Sequence, residues 1–295
     1  MKERLADLSG SSPFPPMKTI FVPYDFSLPS KDALRYAIDA TSQLHALQLV
    51  VFHHNPQVYT NGEFPVLYFD NLERINEDLR KQISQDVMSL MDQSKTCHPG
   101  LDTQVLVVTE TGTVLSLLHH AEKADADLII MGSHGKSGFE KLVFGSVTAA
   151  VIEDSEIPVM VIPPNFRFEK LEKIMYASSL AHFQGELHRL RKFLKKIHMR
   201  VLVLHLKYSF NGNEHLARAR HLLSEEKDPL VELMVVDISP EFRLVDQLLE
   251  NFKKENPDCL VMFPARYEWY EKLFISSKTL ELVNRLRKPL LVLYT

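Results

Sequence analysis

Short apolar runs alternate with longer amphipathic stretches through the first half of the chain. Each apolar run has the length of a buried β-strand, and each amphipathic stretch places its apolar residues at helical spacing. The alternation predicts an α/β fold with a parallel sheet covered by helices on both faces. The predicted strands are KTIFVPY (18–24), LQLVVFHHN (47–55), TQVLVVTETG (103–112), DLIIM (127–131) and IPVMVIPP (157–164). The predicted helices are SKDALRYAIDATSQL (30–44, with Ser30 as N-cap), INEDLRKQISQDVMSLMDQS (75–94), VLSLLHHAEKA (114–124) and VTAAVIED (147–154).

The second half of the chain repeats this order of strands and helices. Near the end the two copies match without gaps, so that Met131 corresponds to Met262 and Pro158 to Pro289. A repeat of this length predicts two tandem copies of one domain. We therefore expect a mobile N-terminal arm (1–17) and two doubly wound, parallel, five-stranded sheet domains (18–165 and 170–295).

The last strand of each copy ends its domain and is short and apolar. An unpaired apolar edge invites association. We therefore expect VMVI (159–162) and LLVL (290–293) to pair with each other, which would make the chain an internal pseudo-dimer. A further homodimer of whole chains stays open at this point.

Composition narrows the classes of partner. The net charge of −4 carries no basic bias, which argues against nucleic acid. The apolar runs are far shorter than the ~20 residues of a membrane helix, and the N-terminus lacks the apolar core of a signal peptide. Cys97 and Cys259 belong to no CxxC pair, so we expect two reduced thiols in a cytoplasmic protein.

The stretch MGSHGKSGFEKLVFGS (131–146) holds four of the ten glycines in the chain. It lies between a predicted strand and a predicted helix. Glycine lets the backbone approach a phosphate closely, and the helix that follows adds its unpaired N–H groups and the positive end of its dipole. A glycine-rich segment in this context predicts an anion site.

Two familiar phosphate loops do not fit this segment. A Walker A loop requires a glycine where the chain has Ile130. The dinucleotide fingerprint is absent after the first strand, where the chain reads VPYDFS. The spacing that the segment does have is Gly132-x2-Gly135-x9-Gly145-Ser146.

This segment resembles the C-terminal part of a universal stress protein domain, whose fold is that of the adenine-nucleotide alpha-hydrolase-like proteins. The ATP-binding members of that family carry G-x2-G-x9-G-[S/T], and the first strand IFVPYDFS also resembles their opening strand. The resemblance covers about Lys18 to Pro163 and, more weakly, Glu172 to Thr295. It implies ATP as the ligand, with Mg²⁺ or Mn²⁺ held mainly by phosphates and water.

The resemblance also implies which residues bind the nucleotide. The segment after the first strand would contact the adenosine end, the residue after the second-strand histidine would lie near adenine, and the glycine segment would wrap the phosphates. His54 departs from the small aliphatic residue that is usual in the family at its position. Independently of the resemblance, a carboxylate at a strand end, such as Asp25, can accept bonds from ribose hydroxyls. The implied set is Pro23, Tyr24, Asp25, His54, Met131, Gly132, Ser133, His134, Gly135, Gly145, Ser146, Val147 and Thr148.

The second copy lacks this pattern. Phe263, Arg266 and Ser276 stand where the first copy has its glycines, and Ser179 replaces Asp25. We therefore expect one nucleotide per chain. The favoured function is a nucleotide-dependent stress response through conformation or an unknown protein partner; the alternatives are a slow ATPase and a nucleotide-free interaction protein. No catalytic residue and no protein metal ligand can be singled out.

Overall fold

The computed structural model describes residues 18–56, 65–133, 146–194, 197, 199–208, 214–239, 241–263 and 285–294. Strands and helices alternate through these residues. The strands are β1 (Thr19–Pro23), β2 (Gln48–His54), β3 (Asp102–Val108), β4 (Leu128–Gly132), β5 (Val159–Ile162), β6 (Lys173–Ala177), β7 (Arg200–Tyr208), β8 (Val231–Ile238), β9 (Cys259–Met262) and β10 (Leu290–Val292). The helices are α1 (Leu28–Leu44), α2 (Pro65–Gln93), α3 (Thr113–Lys123), α4 (Ser146–Asp154), α5 (Phe183–Leu194), α6 (Glu214–Glu226) and α7 (Leu244–Glu255).

The described strands form one sheet in the order β3-β2-β1-β4-β5-β10-β9-β6-β7-β8. Within each half of five strands, all neighbours are parallel. The two halves meet where β5 pairs antiparallel with β10, with Met160 opposite Leu291. The predicted α/β class and the predicted pairing of the two last strands are therefore confirmed.

Apolar side chains alternate between the two faces of the sheet, as the period of a strand requires. Ile20, Val22 and Ile130 belong to the core beneath α1, α2, α5 and α6. Phe21 and Ile129 belong to the core beneath α3, α4 and α7. Both cores include residues of the two halves. The sheet is therefore doubly wound, with helices on both faces, and its two halves share their cores.

Two helix starts differ from the sequence-based expectation. Helix α1 begins at Leu28, and Ser27 is its N-cap in place of Ser30, because the Ser27 side chain accepts a bond from the Ser30 N–H. Pro29 stands in the first turn, where its missing N–H leaves no hydrogen bond unmade. Helix α2 begins at Pro65, ten residues before the predicted Ile75, again with a proline at a position that tolerates it.

Candidate functional site

The chain order of the first half creates a switch point at the carboxyl ends of β1 and β4. The chain runs from β1 outward to β2 and β3 and then crosses to β4 on the other side of β1. The connections that leave β1 and β4 therefore diverge in opposite directions. In doubly wound sheets, ligands bind in the crevice that opens at such a point.

The residues that follow β1 are tied to the start of α1. The Asp25 carboxylate accepts bonds from the N–H and the hydroxyl of Ser27, and the Asp25 N–H donates to the Ser30 hydroxyl at 3.3 Å. Pro23 closes β1 beside Phe52 of β2. Asp25 thus stands at the crevice, with one carboxylate oxygen holding the turn into α1.

Tyr24 is a core residue. Its side chain is buried, and its hydroxyl donates to the carboxylate of Asp86 on α2. Burial, and then the contact with Asp86, raises the pKa of the Tyr24 phenol well above its usual range. The Tyr24 hydroxyl therefore links the end of β1 to α2, and the phenol is part of the core.

The two ends of the glycine segment are held together. The Thr148 hydroxyl, in the first turn of α4, donates to the carbonyl oxygen of Gly132 at 3.0 Å, and Thr148 is buried. Ser146, the first residue of α4, is exposed, and Val147 is half-buried against the core of that face. The N-terminus of α4 consequently opens beside the end of β4.

Gly132 has a structural reason to be glycine. A Cβ at this position would meet the carbonyl oxygen of Pro29 at 2.6 Å and its carbonyl carbon at 2.7 Å. These are backbone atoms of the first turn of α1, and they cannot move aside as a flexible side chain would. The absence of a side chain at Gly132 lets α1 cross the end of β4 closely.

The neighbours of Gly132 are also buried. Met131 lies in the core beneath α3 and α4. Ser133 is fully buried, and its N–H donates to the carbonyl of Ile162 at 3.1 Å. The predicted phosphate-contacting residues His134, Gly135 and Gly145 lie outside the described residues, as do Arg266 and Ser276 of the second copy.

His54 closes β2 and faces the start of α3. One ring nitrogen, Nε2, lies 3.0 Å from the carbonyl oxygen of Glu110, and the other, Nδ1, lies 3.3 Å from the Thr113 hydroxyl. The preceding His53 is buried, with its Nδ1 2.7 Å from the carbonyl oxygen of Tyr24. The two neighbouring histidines therefore make hydrogen bonds on opposite sides of β2, His53 with the segment after β1 and His54 with the segment after β3.

The equivalent crevice of the second half is filled by aromatic packing. Phe263, which corresponds to Gly132, is buried and lies edge-on to Tyr176 with ring centroids 5.4 Å apart. The Tyr176 hydroxyl donates to the buried carboxylate of Glu186 and contacts Ser178. His205 repeats the role of His53, with its Nδ1 3.0 Å from the carbonyl oxygen of Ser178. The residue that follows β9 thus carries a packed aromatic side chain, whereas Gly132 at the end of β4 has no side chain.

Sequence reasoning missed several residues around the crevice. Pro29 is the reason for glycine at 132, and Asp86 binds the phenol of Tyr24. Glu110 carries no motif, although a carboxylate near the carboxyl end of a predicted strand is a signal that could have drawn attention to it. Within the described residues, no three His, Cys, Asp or Glu side chains are arranged to hold a metal ion. None of the described helices combines the length and the hydropathy needed to cross a bilayer.

These features define a doubly wound α/β protein with a candidate ligand crevice at the switch point of its first half. Residues 16–163, half of the chain, match the model of the universal stress protein family. The chain belongs to this family.

Similar proteins agree with this assignment. Two relatives from Methanocaldococcus jannaschii are the universal stress proteins MJ0531, 29% identical over 147 residues, and MJ0577, 27% identical over 153 residues. Each alignment covers 49% of this chain, and 81% and 94% of the respective relative. The crystal structure of a universal stress protein from Archaeoglobus fulgidus covers 94% of this chain and 96% of its own, with a TM-score of 0.65 and 17% identity. The fold similarity therefore extends over both halves.

Proposed function

We propose that the first half binds one ATP, with Mg²⁺ or Mn²⁺ held by the phosphates and water. The nucleotide-bound state would act in a stress response through conformation or through a protein partner. The observation that carries the proposal is the bond from the Thr148 hydroxyl to the Gly132 carbonyl at the switch point. It holds the two ends of the glycine segment together, so that this segment begins and ends beside the N-terminus of α4.

The chemistry of the crevice fits a nucleotide phosphate chain. The N-terminus of α4 offers N–H groups and a favourable dipole, and the exposed Ser146 offers a hydroxyl donor. The resemblance in sequence adds the G-x2-G-x9-G-S spacing of the family's ATP-binding members. Asp25 and the residues closing β2 stand on the other side of the crevice, where the sugar and base would lie.

Calorimetric titration of the whole protein with ATP and excess Mg²⁺ tests the proposal. We expect saturable binding with a stoichiometry of one. Gly145→Val should abolish it, because a branched side chain removes the close backbone approach that the spacing predicts. Gly185→Ala is the matched control, since a Cβ there meets nothing within 4 Å and lies in the second half.

The outcomes separate the candidate functions. Absence of binding by the wild type would overturn the proposal and favour a nucleotide-free interaction protein. Unchanged binding by Gly145→Val would overturn the proposed site, although the protein would still bind nucleotide. A stoichiometry of two would show that the second half also binds nucleotide. Release of inorganic phosphate from the bound ATP over repeated turnovers would point to the slow ATPase.

A further inference from the structure

The carboxyl ends of β2 and β3 carry a cluster of titratable side chains that the proposed site does not use. Glu110 follows β3, and its carboxylate accepts a bond from the Ser116 hydroxyl at 2.8 Å and lies 3.2 Å from Nε2 of His120. Ser116 and His120 belong to α3. The side chain of Glu110 therefore anchors the connection between β3 and α3 to Ser116 near the start of that helix and to His120 in its last turn.

The backbone of the same residue orients His54. A carbonyl can only accept, so Nε2 of His54 carries the proton that binds the Glu110 carbonyl. Nδ1 is then the acceptor for the Thr113 hydroxyl. Both ring nitrogens of His54 are thus fixed by the segment that the Glu110 side chain anchors.

This arrangement is specific to the first half. In the strand register, Leu206 of β7 occupies the position of His54 in β2. Ile238, the last residue of β8, occupies the position of Glu110, which lies two residues beyond β3. Both are buried apolar residues. The helix match places Asn251 at the position of His120. The same helix match places Glu241 at the position of Glu110, so it is the two histidines, His54 and His120, that the second half replaces with uncharged residues.

His54 lies at the edge of the proposed site. Pro23 of β1 pairs with Phe52 of β2, and the Tyr24 N–H donates to the Phe52 carbonyl at 2.7 Å. The residues that follow these pairs, Asp25 and His54, consequently leave neighbouring strands at the same edge of the sheet.

We propose that Glu110 and His120 are positioning residues that hold the His54 ring at the base end of the nucleotide site, and hold it more firmly when His120 is charged. This inference rests on the proposed function. The hydrogen bonds from Ser116 and His120 lower the pKa of the Glu110 carboxyl, so this group is ionised throughout the range in which histidines titrate. Protonation of His120 then converts a neutral hydrogen bond into a charge-assisted pair, which is the stronger contact.

Besides His120, the charged group that acts on the Glu110 carboxyl is His119. His119 is exposed on α3, with its ring centroid 5.3 Å from that of His120. Helix α4 packs against α3 and carries the exposed carboxylates Glu153 and Asp154 in its last turn.

The test compares ATP affinity at pH 8 and pH 6 in the wild type, Glu110→Gln and His120→Asn. Asparagine is the residue that the second half carries at this position. We expect the wild type to gain about threefold more affinity on acidification than either variant, the order expected for a partly exposed ion pair. The protonation of ATP itself is common to all three proteins and cancels in the comparison.

His221→Asn is the matched control, because His221 also faces a carboxylate, that of Glu225 at 3.6 Å, on α6 of the second half. It should keep the wild-type pH profile. A second readout needs no nucleotide: the ring resonances of His54, compared by NMR at pH 8 and pH 6, should change by different amounts in the wild type and in His120→Asn.

Identical pH profiles of the wild type and His120→Asn, or weaker binding by the same factor at both pH values, would overturn the inference while leaving the proposed function intact. So would His54 resonances that His120→Asn does not alter. Failure of every protein to bind ATP would instead remove the proposed function itself.

Discussion

Asp127 and Asp258 occupy the same place in the two halves and make the same pair of hydrogen bonds. Asp127 stands just before β4, which neighbours β1, and Asp258 stands just before β9, which neighbours β6. Asp127 accepts from the N–H groups of Lys18 and Thr19 at 2.6 and 3.0 Å. Asp258 accepts from the corresponding N–H groups at the start of β6, at 2.8 and 2.9 Å. In both halves this carboxylate fixes where the central strand begins.

We expect Asp127→Ala and Asp258→Ala each to lower the free energy of unfolding by about 1–2 kcal/mol, because each removes one acceptor from two backbone donors. Asp258→Ala should have the larger effect, since Asp258 is the less exposed and also faces Lys288 at 4.0 Å. Urea unfolding measures both. Asp102→Ala, at an exposed strand end, is the control and should change stability by less than about 0.5 kcal/mol.

Gly132→Ala should destabilise the protein in the absence of any ligand. The added Cβ would lie 2.6 Å from the Pro29 carbonyl oxygen, and relief requires α1 to shift, which typically costs about 1–3 kcal/mol. Gly185→Ala, in open space on α5, should instead stabilise by about 0.5–1 kcal/mol. Thermal unfolding of both variants without nucleotide gives the comparison. If Gly132→Ala were as stable as the wild type and only bound ATP less well, the packing of α1 would not be the reason for this glycine.

The alternation of apolar runs, a local signal, was enough to predict the fold class. The internal repeat predicted the two copies, and the short apolar strand at the end of each copy predicted the pairing of β5 with β10. The glycine spacing predicted a phosphate site, but it explained every glycine by close approach to a phosphate. The close approach of Pro29 to Gly132 depends on how α1 crosses β4, and no local pattern contains that information. The same holds for the Thr148 bond to Gly132, which joins residues on either side of a loop.

The pairing of β5 with β10 joins the two halves, and from it we predict how a fragment that contains only the first half behaves. A chain of residues 18–165 would leave β5 as an unpaired apolar edge, with Met160 no longer opposite Leu291. Such an edge pairs readily with another strand. We expect this fragment to form a homodimer through antiparallel β5 strands, with Met160 opposite the second Met160, measured by sedimentation velocity.

Met160→Lys in the same fragment should shift the dimer toward monomer, because two like charges would face each other across the pair. A folded fragment that is monomeric at micromolar concentration without this substitution would contradict the role assigned to the edge.

The two cysteines should differ in reactivity, because only one is fully enclosed. Cys259 is buried in β9, and burial raises the pKa of its thiol from 9.0 to about 12. At pH 8 the reactive thiolate is then about one molecule in ten thousand. Cys97 is half-buried, and its thiol pKa is also raised chiefly by burial. Iodoacetamide at pH 8 should label Cys97 slowly and Cys259 only after unfolding, which peptide mass spectrometry resolves. Labelling of Cys259 in the native protein at the rate of Cys97 would show that β9 opens to solvent.

The same thiol gives stability a pH dependence whose sign follows from the direction of its shift. The folded pKa of Cys259 lies above the unfolded value of 9.0, so its contribution is complete below pH 9 and is lost as the pH rises toward about 12. Between these values the unfolded thiol ionises while the folded one does not, and the unfolded state gains up to about 1.4 kcal/mol per pH unit. We therefore expect the free energy of unfolding of the wild type to fall more steeply between pH 9 and 10.5 than that of Cys259→Ala, although the variant starts lower because it leaves a small cavity. Urea unfolding at several pH values in this range measures the two slopes, and parallel slopes would show that the thiol keeps its ordinary pKa in the folded protein.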